Sequence, residues 1–378
     1  MKKVLFATTA LIATAGMAAA DVRISGYGRF GLDYNEANKG VPAAGRLDST
    51  DFPEFSITSR LRLQFDMSTE TDSGVTLGAR FRAQAESRDG RPASGPINLV
   101  DLNGDGTFDA VQAGGGAQFN GARFFATWQG LTVAVGNILG AIENTPGLYL
   151  ETRSAGTGID GMGFVSLVTN VNGNYFNWDA YSSAGYGVNN GVEVLYSAGG
   201  FNGQISYSKD NDTVCGTAIT ACPAAVTMVD GLQRTAINLS YTWNDWTGSI
   251  AYQDSNAFNN WQDKFLFTVY GDLGNFGIRF AYADNKGIDK FGLYGSYDIG
   301  AASTIVAWVT NESAVSASDV ALGRNDNRDG VAGSNNQEGT AFGLNYSYDL
   351  GGGASIETGY VYNSAKFSSF QAGVYFSF

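Results

Sequence analysis

Apolar and polar residues alternate along short segments from residue 21 to the end of the chain. In the clearest segment, one face carries the apolar residues Phe55, Ile57, Leu61, Leu63, Phe65 and Met67. The other face carries Glu54, Arg60, Arg62, Gln64 and Asp66. Successive side chains of a β-strand point to opposite faces, so this period of two predicts a strand. The next segment, Val75 to Ala85, repeats the pattern with Arg80 and Arg82 on its polar face.

The whole chain after residue 20 contains sixteen such segments, from Val22 to Tyr34 through to a last segment that ends at Phe378. The shortest connections, such as Gln129-Gly130 and Asn244-Asp245, follow even-numbered segments, and the longest follow odd-numbered ones. An even strand count with short turns on one rim and long loops on the other is typical of outer-membrane barrels. The pattern therefore predicts an all-β fold, a 16-stranded antiparallel transmembrane β-barrel over residues 21–378.

A secreted β-sandwich or propeller is the alternative fold. Aromatic residues near both ends of the segments favour the barrel, since such residues form girdles at the two membrane interfaces. A propeller would also show a repeated blade motif. The chain carries no such motif.

The first twenty residues have the features of a secretory signal peptide. Lys2 and Lys3 precede an apolar run from Val4 to Met17, and three alanines then precede Asp21. An N-terminal membrane anchor is the alternative, although the run is short for a spanning helix. We expect residues 1–20 to be cleaved on export, and any membrane span to consist of strands.

The composition excludes several classes of function. Acidic residues outnumber basic ones by 36 to 23, which disfavours nucleic acid as a partner. The chain has no histidine, which removes the commonest general base and the Ser-His and Cys-His nucleophile pairs. We therefore expect that the protein is not an enzyme and requires no cofactor.

Three stretches resemble a known family. They are Asp21 to Tyr34, Gly136 to Leu148, and Ala372 to Phe378. They are similar to the general diffusion porins of Gram-negative bacteria, especially the Rhodobacter-type porins of alphaproteobacteria. The resemblance implies a homotrimer in the outer membrane, in contact with its lipids and lipopolysaccharide. It also implies a long third loop folded into the lumen and passage of small hydrophilic solutes.

The chain terminus adds a second implication of this resemblance. Tyr375, Phe376 and Phe378 resemble the carboxy-terminal signal that the barrel-assembly machinery reads. The alternative is a last strand that simply ends on an aromatic residue.

A charged constriction is predicted inside the barrel. Because residues of a strand alternate between its two faces, the faces away from lipid can be read from the sequence. On the first three strands these faces carry Arg23, Arg29, Arg60, Arg62, Arg80 and Arg82, and the fourth strand adds Arg123. The long segment 138–187 interrupts the strand pattern and carries the carboxylates Glu143, Glu151 and Asp160. Placed inside the barrel, it would face these carboxylates toward the arginines. Alternatively, the arginines pair with Glu54, Asp66 and Glu86 for stability, and both readings can hold together.

Two smaller motifs lie in the predicted loops. Asp101, Asn103, Asp105 and Asp109 match the first part of a calcium-binding loop, but position 12 is Gln112 and strands flank the motif. It is a weak candidate for a structural Ca²⁺ site, with a polar turn as the alternative. The only cysteines, Cys215 and Cys222, are predicted to form a local disulfide in the exported protein.

Passive diffusion through a water-filled pore is the leading function, and three others stay open. A substrate-specific channel would show an aromatic slide, whereas the inward-facing Tyr27, Phe125 and Trp308 lie on scattered strands. A hydrolase is disfavoured by the absence of histidine. An adhesin would usually have a smaller barrel filled with side chains.

Overall fold

The computed structural model describes residues 21–36, 54–88, 97–100, 109–112, 118–149, 190–209, 233–255, 263–285, 287–318, 338–364 and 366–378. These residues contain the strands β1 (Asp21–Asn35), β2 (Phe55–Glu70), β3 (Thr76–Arg88), β4 (Ile97–Val100), β5 (Asp109–Gln112), β6 (Gln118–Phe119), β7 (Arg123–Trp128), β8 (Leu131–Gly136), β9 (Asn190–Ala198), β10 (Phe201–Lys209), β11 (Gln233–Trp243), β12 (Trp246–Ser255), β13 (Lys264–Leu273), β14 (Phe276–Asp284), β15 (Asp289–Ile299), β16 (Ser303–Glu312), β17 (Gly339–Gly351), β18 (Ala354–Tyr362) and β19 (Ser368–Ser377). No helix among the described residues is long and apolar enough to cross a membrane.

The strands form one closed antiparallel circuit. From β7 onward each strand pairs with the next strand in sequence, β2 pairs with β3, and β1 pairs with both β2 and β19. The short β6 and the following β7 both pair with β3, so together they occupy one position in the circuit. The separate hairpin β4–β5 lies outside it. Sixteen positions result, which confirms the predicted fold class and strand count.

The seam between the first and last strands completes the circuit. The backbone N–H of Gly26 donates to the carbonyl of Phe378 at 2.9 Å, and the N–H of Phe378 donates back to Gly26 at 3.0 Å. The pairing continues to Asn35 and Ser369. A closed circuit pairs the backbone groups that an edge strand would leave exposed, which is required where no water can bond to them.

Tight turns define one rim of the barrel. Gln129 and Gly130 have φ of 46° and 84°, the left-handed values of a type I′ hairpin. Asn244, with φ of 51°, begins a turn of similar length between β11 and β12. The connections that leave the strands at the other rim are longer, 19 residues from β1 to β2 (36–54) and 53 residues from β8 to β9 (137–189), so the predicted asymmetry between the two rims is confirmed.

The outer face of the barrel is apolar. On β12, Ile250 and Tyr252 are each 47% exposed, while the alternate residues Ser249 and Ala251 are 2% and 3% exposed. The same contrast recurs around the circuit, with Phe55, Ile57 and Val22 all at least 60% exposed. This exposed apolar surface matches the lipid-facing band of a transmembrane barrel.

The barrel interior is partly filled by residues 137–149, which follow β8 and begin the third long connection. Ala141, Ile142 and Leu148 are fully buried against inward-facing residues of the wall. The wall residues in this cluster include Ala236, Ala251, Leu266, Ala281, Tyr294 and Trp308. Burial of Ile142 and Leu148 contributes roughly 1.5–3 kcal/mol each. The predicted inward course of the third loop is thereby confirmed for residues 137–149, which we call the inward segment.

The assignment of faces predicts opposite effects for two lysine substitutions on β15. Leu293 is 52% exposed on the outer face, so Leu293→Lys should destabilise the membrane-inserted barrel by about 2–4 kcal/mol. Ser296 lies half-buried on the inner face, and Ser296→Lys should cost less than about 0.5 kcal/mol. Denaturant titration of barrels refolded into lipid vesicles would measure both. Equal losses would show that the two faces are wrongly assigned.

Candidate functional site

A wall of arginines lines one side of the lumen. Arg23, Arg29, Arg60, Arg62, Arg80 and Arg82 occupy inward positions of the three consecutive strands β1, β2 and β3. Arg123 of β7 lies directly opposite Arg80 in the strand register. Arg29 lies directly opposite Arg60 and is only 3% exposed. The structure therefore brings the predicted arginines together on adjacent strands.

Two of these arginines are held by glutamines in a reciprocal arrangement. Arg62 on β2 donates from Nε to Oε1 of Gln84 on β3 at 2.7 Å. Arg82 on β3 donates from Nε to Oε1 of Gln64 on β2 at 2.9 Å. The amide oxygens fix the orientation of both guanidinium groups without neutralising their charge. These two partners therefore add no negative charge of their own to the arginine wall.

Arg80 is held by a carboxylate instead. Its Nε donates to Oδ1 of Asp66 at 2.5 Å, and Gln64 donates to the other oxygen of Asp66 at 2.7 Å. Both partners of the ion pair are 24% exposed. The alternative reading, that lumenal carboxylates pair with the arginines, is confirmed for this pair. Structural pairing and a positive wall therefore coexist.

An aromatic pair borders the arginine wall. The guanidinium carbon of Arg62 lies 5.3 Å from the ring centroid of Tyr27, a cation–π distance. Tyr27 stacks on Tyr375 of β19 with centroids 5.4 Å apart. Tyr375 thus lies on the inner face, whereas Phe376 and Phe378 lie on the outer face, 37% and 57% exposed. The assembly signal that includes these three residues stays a prediction.

Glu193 joins the wall to the inward segment. Its buried carboxylate accepts from Nε of Arg123 at 2.7 Å. The other oxygen accepts from the side-chain amide of Gln204 at 2.8 Å and from the backbone N–H of Gly140 at 3.2 Å. Arg123 can reach Glu193 across β8 because the inward residues there, Ala134 and Gly136, are small. One carboxylate therefore ties three strands to the start of the inward segment.

The inward segment then runs along the inner surface of the barrel, where hydrogen bonds hold it to successive strands. The N–H of Ala141 donates to Ser206 of β10 at 2.9 Å, and the side-chain amide of Asn238 on β11 donates to the carbonyl of Ala141 at 3.1 Å. The hydroxyl of Thr268 on β13 donates to the carbonyl of Pro146 at 2.5 Å. Strand β13 is eight positions from β2 in either direction around the circuit. The segment therefore ends directly across the lumen from the arginine wall.

Arg279 of β14 holds the far end of the inward segment. It lies between two rings, 5.0 Å from the centroid of Tyr270 and 5.1 Å from that of Tyr294. Its Nη1 donates to the carbonyl of Gly147 at 3.4 Å and also to the carbonyl of Tyr149. Gly147 has φ of 81°, and a Cβ there would lie 2.7 Å from the Tyr270 ring. Only glycine fits this approach to the wall.

Glu143 is the one predicted loop carboxylate within the described residues. It is partly buried, and Oε2 accepts a hydrogen bond from the hydroxyl of Tyr149. Burial raises the pKa of Tyr149 well above its usual value, and the nearby Glu143 carboxylate raises the pKa further. The phenol therefore stays protonated and donates to Glu143. Glu151 and Asp160 lie outside the described residues.

The two smaller motifs also remain predictions. Asp101, Asn103 and Asp105 lie outside the described residues, as do Cys215 and Cys222, and only the backbone of Asp109 is described. Within the described part of the chain, no group of histidine, cysteine or acidic residues has a metal-binding arrangement.

Glu193 and Arg279 are site residues that the sequence-based prediction did not include. Both lie between apolar, outward-facing neighbours, such as Val192 and Val194, so alternation alone places them inside the barrel. A further signal was available in the apolar residues at inward positions, such as Ala236 and Leu266. Apolar side chains on the inner face of a water-filled barrel indicate that another part of the chain covers them.

Comparisons with known proteins agree with this architecture. A family model described as Gram-negative porin matches residues 7–368. A porin of Fuscovulum blasticum is 30% identical over 297 residues, covering 77% of this chain and 84% of that protein. A solved triple mutant of the Rhodopseudomonas blastica porin superposes with a TM-score of 0.63 at 23% identity, covering 95% of this chain and 100% of that one. A double mutant of the same porin gives 0.62 at 22% identity, with the same coverage.

The role of Glu193 predicts a distinctive effect of Glu193→Gln. Loss of its charge weakens the bond from Arg123 and the anchor at Gly140, so the barrel should lose about 2–3 kcal/mol of stability and its open-channel current should become noisier. Glu357→Gln is a matched control, because Glu357 is equally buried but accepts from Ser347 and Ser355 on the β17–β18 wall. Noise that rises equally in both variants would contradict the anchoring role.

Proposed function

Since the chain belongs to the Gram-negative porin family, we propose that it is a general diffusion channel whose selectivity is set by a constriction between the arginine wall and the inward segment. Membership of this family confirms the resemblance seen in the sequence. As a member of this family, the protein is a passive channel of the outer membrane and not an enzyme. Small hydrophilic solutes and ions would pass without energy input.

The position of the inward segment is the observation that carries this proposal. The backbone N–H of Gly140 donates to Glu193, and Arg279 donates to the carbonyl of Gly147, so the segment is held near both of its described ends. Ile142, which lies between these two bonds, and Leu148, which follows them, pack against the wall and cannot swing freely into the lumen. A segment held in this way would narrow the pore by a constant amount.

The charges on the two sides of the constriction explain how solutes would be sorted. Arg60, Arg62 and Arg82 present positive charge on one side, and Glu143, with Glu151 and Asp160 as further proposed members, supplies negative charge on the other. Opposite charges across a narrow aqueous path create a transverse field. A polar solute can orient in that field, whereas an apolar one must displace ordered water.

The lumenal aromatic residues favour general diffusion over a substrate-specific channel. Trp308 is 4% exposed within the apolar cluster, and Tyr270 and Tyr294 enclose Arg279 beside the inward segment. Within the described residues, Tyr27 and Tyr375 form one stacked pair beside Arg62. Phe125, the other inward aromatic residue of this wall named from the sequence, lies 5.5 Å from the guanidinium carbon of Arg123. These aromatic residues make separate local contacts and do not form a continuous slide.

Several features of assembly follow from the proposal. Members of this family form oligomers, and we propose that this chain forms a homotrimer in contact with outer-membrane lipids and lipopolysaccharide. We also propose cleavage after residue 20 and recognition of the last strand by the barrel-assembly machinery. A Ca²⁺ ion at Asp101 to Asp109 and a disulfide between Cys215 and Cys222 would stabilise two outer loops.

Reconstitution into planar lipid bilayers tests the channel directly. Purified protein should give stable, ohmic current steps, and a homotrimer should give steps grouped in threes. The physical reason is that three water-filled barrels enter the membrane together as one unit. Insertion without conductance would refute the diffusion channel.

Removal of arginine charge from the constriction tests the proposed sorting of ions. Arg60→Ala and Arg62→Ala should shift the reversal potential under a salt gradient toward cation preference, and should raise the conductance, because each removes a positive charge and a large side chain. Lys209→Ala is the control, since Lys209 follows the outward parity of β10 at its end. A reversal potential that changes as much with Lys209→Ala would argue against a local effect of the wall.

A further inference from the structure

Two glycines on the outer face of β1 lie beneath aromatic rings of β19. Gly28 is opposite Phe376 in the strand register, and a Cβ on Gly28 would lie 2.7 Å from Cε1 of that ring. Gly26 is opposite Phe378, and a Cβ on Gly26 would lie 3.1 Å from Cζ of that ring and would also overlap the carbonyl of Arg62. The rings therefore occupy the space that larger side chains at these two positions would need.

The seam between β1 and β19 differs from the other strand pairs of the circuit, because no connection joins its two strands. A tight turn fixes the register of a hairpin, as the turn at Asn244 does for β11 and β12. In contrast, β1 and β19 are the first and last strands of the circuit. Their register therefore depends on the side chains that meet across the seam.

Alternation alone leaves more than one register open at this seam. A slip of one residue would turn the apolar face of β19 toward the lumen, whereas a slip of two residues keeps every side chain on its own face. A slip of two in one direction places Phe378 opposite Ile24, and in the other direction it places Phe376 opposite Phe30. Both of these neighbours carry large side chains. The observed register is the one that gives each ring a glycine.

The contacts between rings and glycines favour the observed register. An aromatic ring that lies over a glycine on the neighbouring strand restores the apolar contacts that the glycine lacks. Phe376 and Phe378 lie along the seam with ring centroids 6.2 Å apart, and each covers one glycine. Gly26, Gly28, Phe376 and Phe378 together form what we call the seam cluster.

We propose that the seam cluster selects the register in which the barrel closes. The closing register sets the shear of a barrel, and the shear and the strand number together fix its strand tilt and diameter. A seam slipped by two residues would therefore close a barrel of different width. The seam cluster thus sets the width of the lumen independently of the charges in the constriction. This inference goes beyond the proposed diffusion function and does not depend on it.

Disulfide cross-linking across the seam tests the proposal by reporting the register directly. Asn35→Cys with Ser369→Cys reports the observed register, because these residues are directly opposite each other and a disulfide can span directly opposite positions. Cys215→Ser and Cys222→Ser would be present throughout, so that the introduced thiols are the only ones. The purified protein would be unfolded in urea and refolded into lipid vesicles before oxidation, in the absence of any assembly machinery.

Two further cysteine pairs report the slipped registers. Ser25→Cys with Ser377→Cys would be directly opposite after a slip of two in one direction, and Asn35→Cys with Gln371→Cys after a slip in the other. In the observed register both pairs are diagonal, at about 7–8 Å, which is too far apart for a disulfide. The protein with an intact seam cluster should therefore cross-link through the first pair alone.

Gly28→Phe sets one ring against another and should disturb the register. The cross-link of the observed register should fall by about twofold or more, and the Ser25–Ser377 cross-link should appear, because that slip brings Phe376 opposite Gly26. The exchange variant Gly28→Phe with Phe376→Gly returns one ring and one glycine to the pair and should restore the original cross-link. This variant also decides the case in which Gly28→Phe alone does not fold, as judged by heat-modifiable migration on gels. An unchanged register in Gly28→Phe, or no recovery in the exchange variant, would overturn the proposal.

Gly295→Phe is the matched control for adding a ring to the lipid-facing surface. Gly295 faces outward on β15, and a Cβ there would have no neighbouring atom within 4 Å. The cross-link of the observed register should be unchanged in this variant, and an equal loss would overturn the role of the seam cluster. Recording in planar bilayers keeps the two proposals separate. A correctly cross-linked barrel that does not conduct refutes the channel alone, and a conducting Gly28→Phe barrel with an unchanged register refutes the seam cluster alone.

Discussion

Backbone hydrogen bonding around a closed circuit is the constraint from which the rest of this structure follows. Hydrocarbon offers no partner for a peptide N–H or carbonyl, so every strand needs two neighbours. The bonds between Gly26 and Phe378 meet this requirement at the seam, where the first strand meets the last. Once the circuit is closed, alternation assigns each strand residue to lipid or to the lumen. The inward arginines are consequences of this assignment, as are the outward Ile250 and Tyr252.

The interior is divided between two kinds of packing. On the side of β1 to β3, charged and amide side chains form hydrogen bonds with one another, as Arg62 does with Gln84. On the side of β11 to β14, apolar wall residues such as Leu266 are covered by the inward segment. Glu193 connects the two regions, since it binds Arg123 and Gly140 at once. The pore is thus shaped by a loop that is packed like a protein core and not merely suspended in water.

Period-two alternation predicted most of the fold because each strand obeys a local rule. The sixteen strands, the two unequal rims and the inward parity of Arg60, Arg62, Arg80 and Arg82 follow from spacing along the chain. The partners of those side chains do not follow from it. Arg123 meets Glu193 across seventy residues of sequence, and Arg279 meets Gly147 across 132. The first contact depends on the small residues of β8, which lies between the two strands. The second depends on the path of the inward segment, for which the local sequence has no period. Parity identifies which residues face the lumen, but it does not specify the neighbours that they meet there.

The glutamine partners of Arg62 and Arg82 have a consequence for how the channel responds to acidity. Guanidinium and amide groups keep their charge state throughout the range in which carboxylates take up protons. The chain contains no histidine that could add positive charge in mild acid. Acidification therefore acts on the carboxylates of the pore, while the positive charges of Arg62 and Arg82 are kept. The field across the pore therefore does not weaken equally from both sides. As the carboxylates lose their charge, the lumen becomes net positive. The same passive pore would admit anions more readily as its surroundings become acidic.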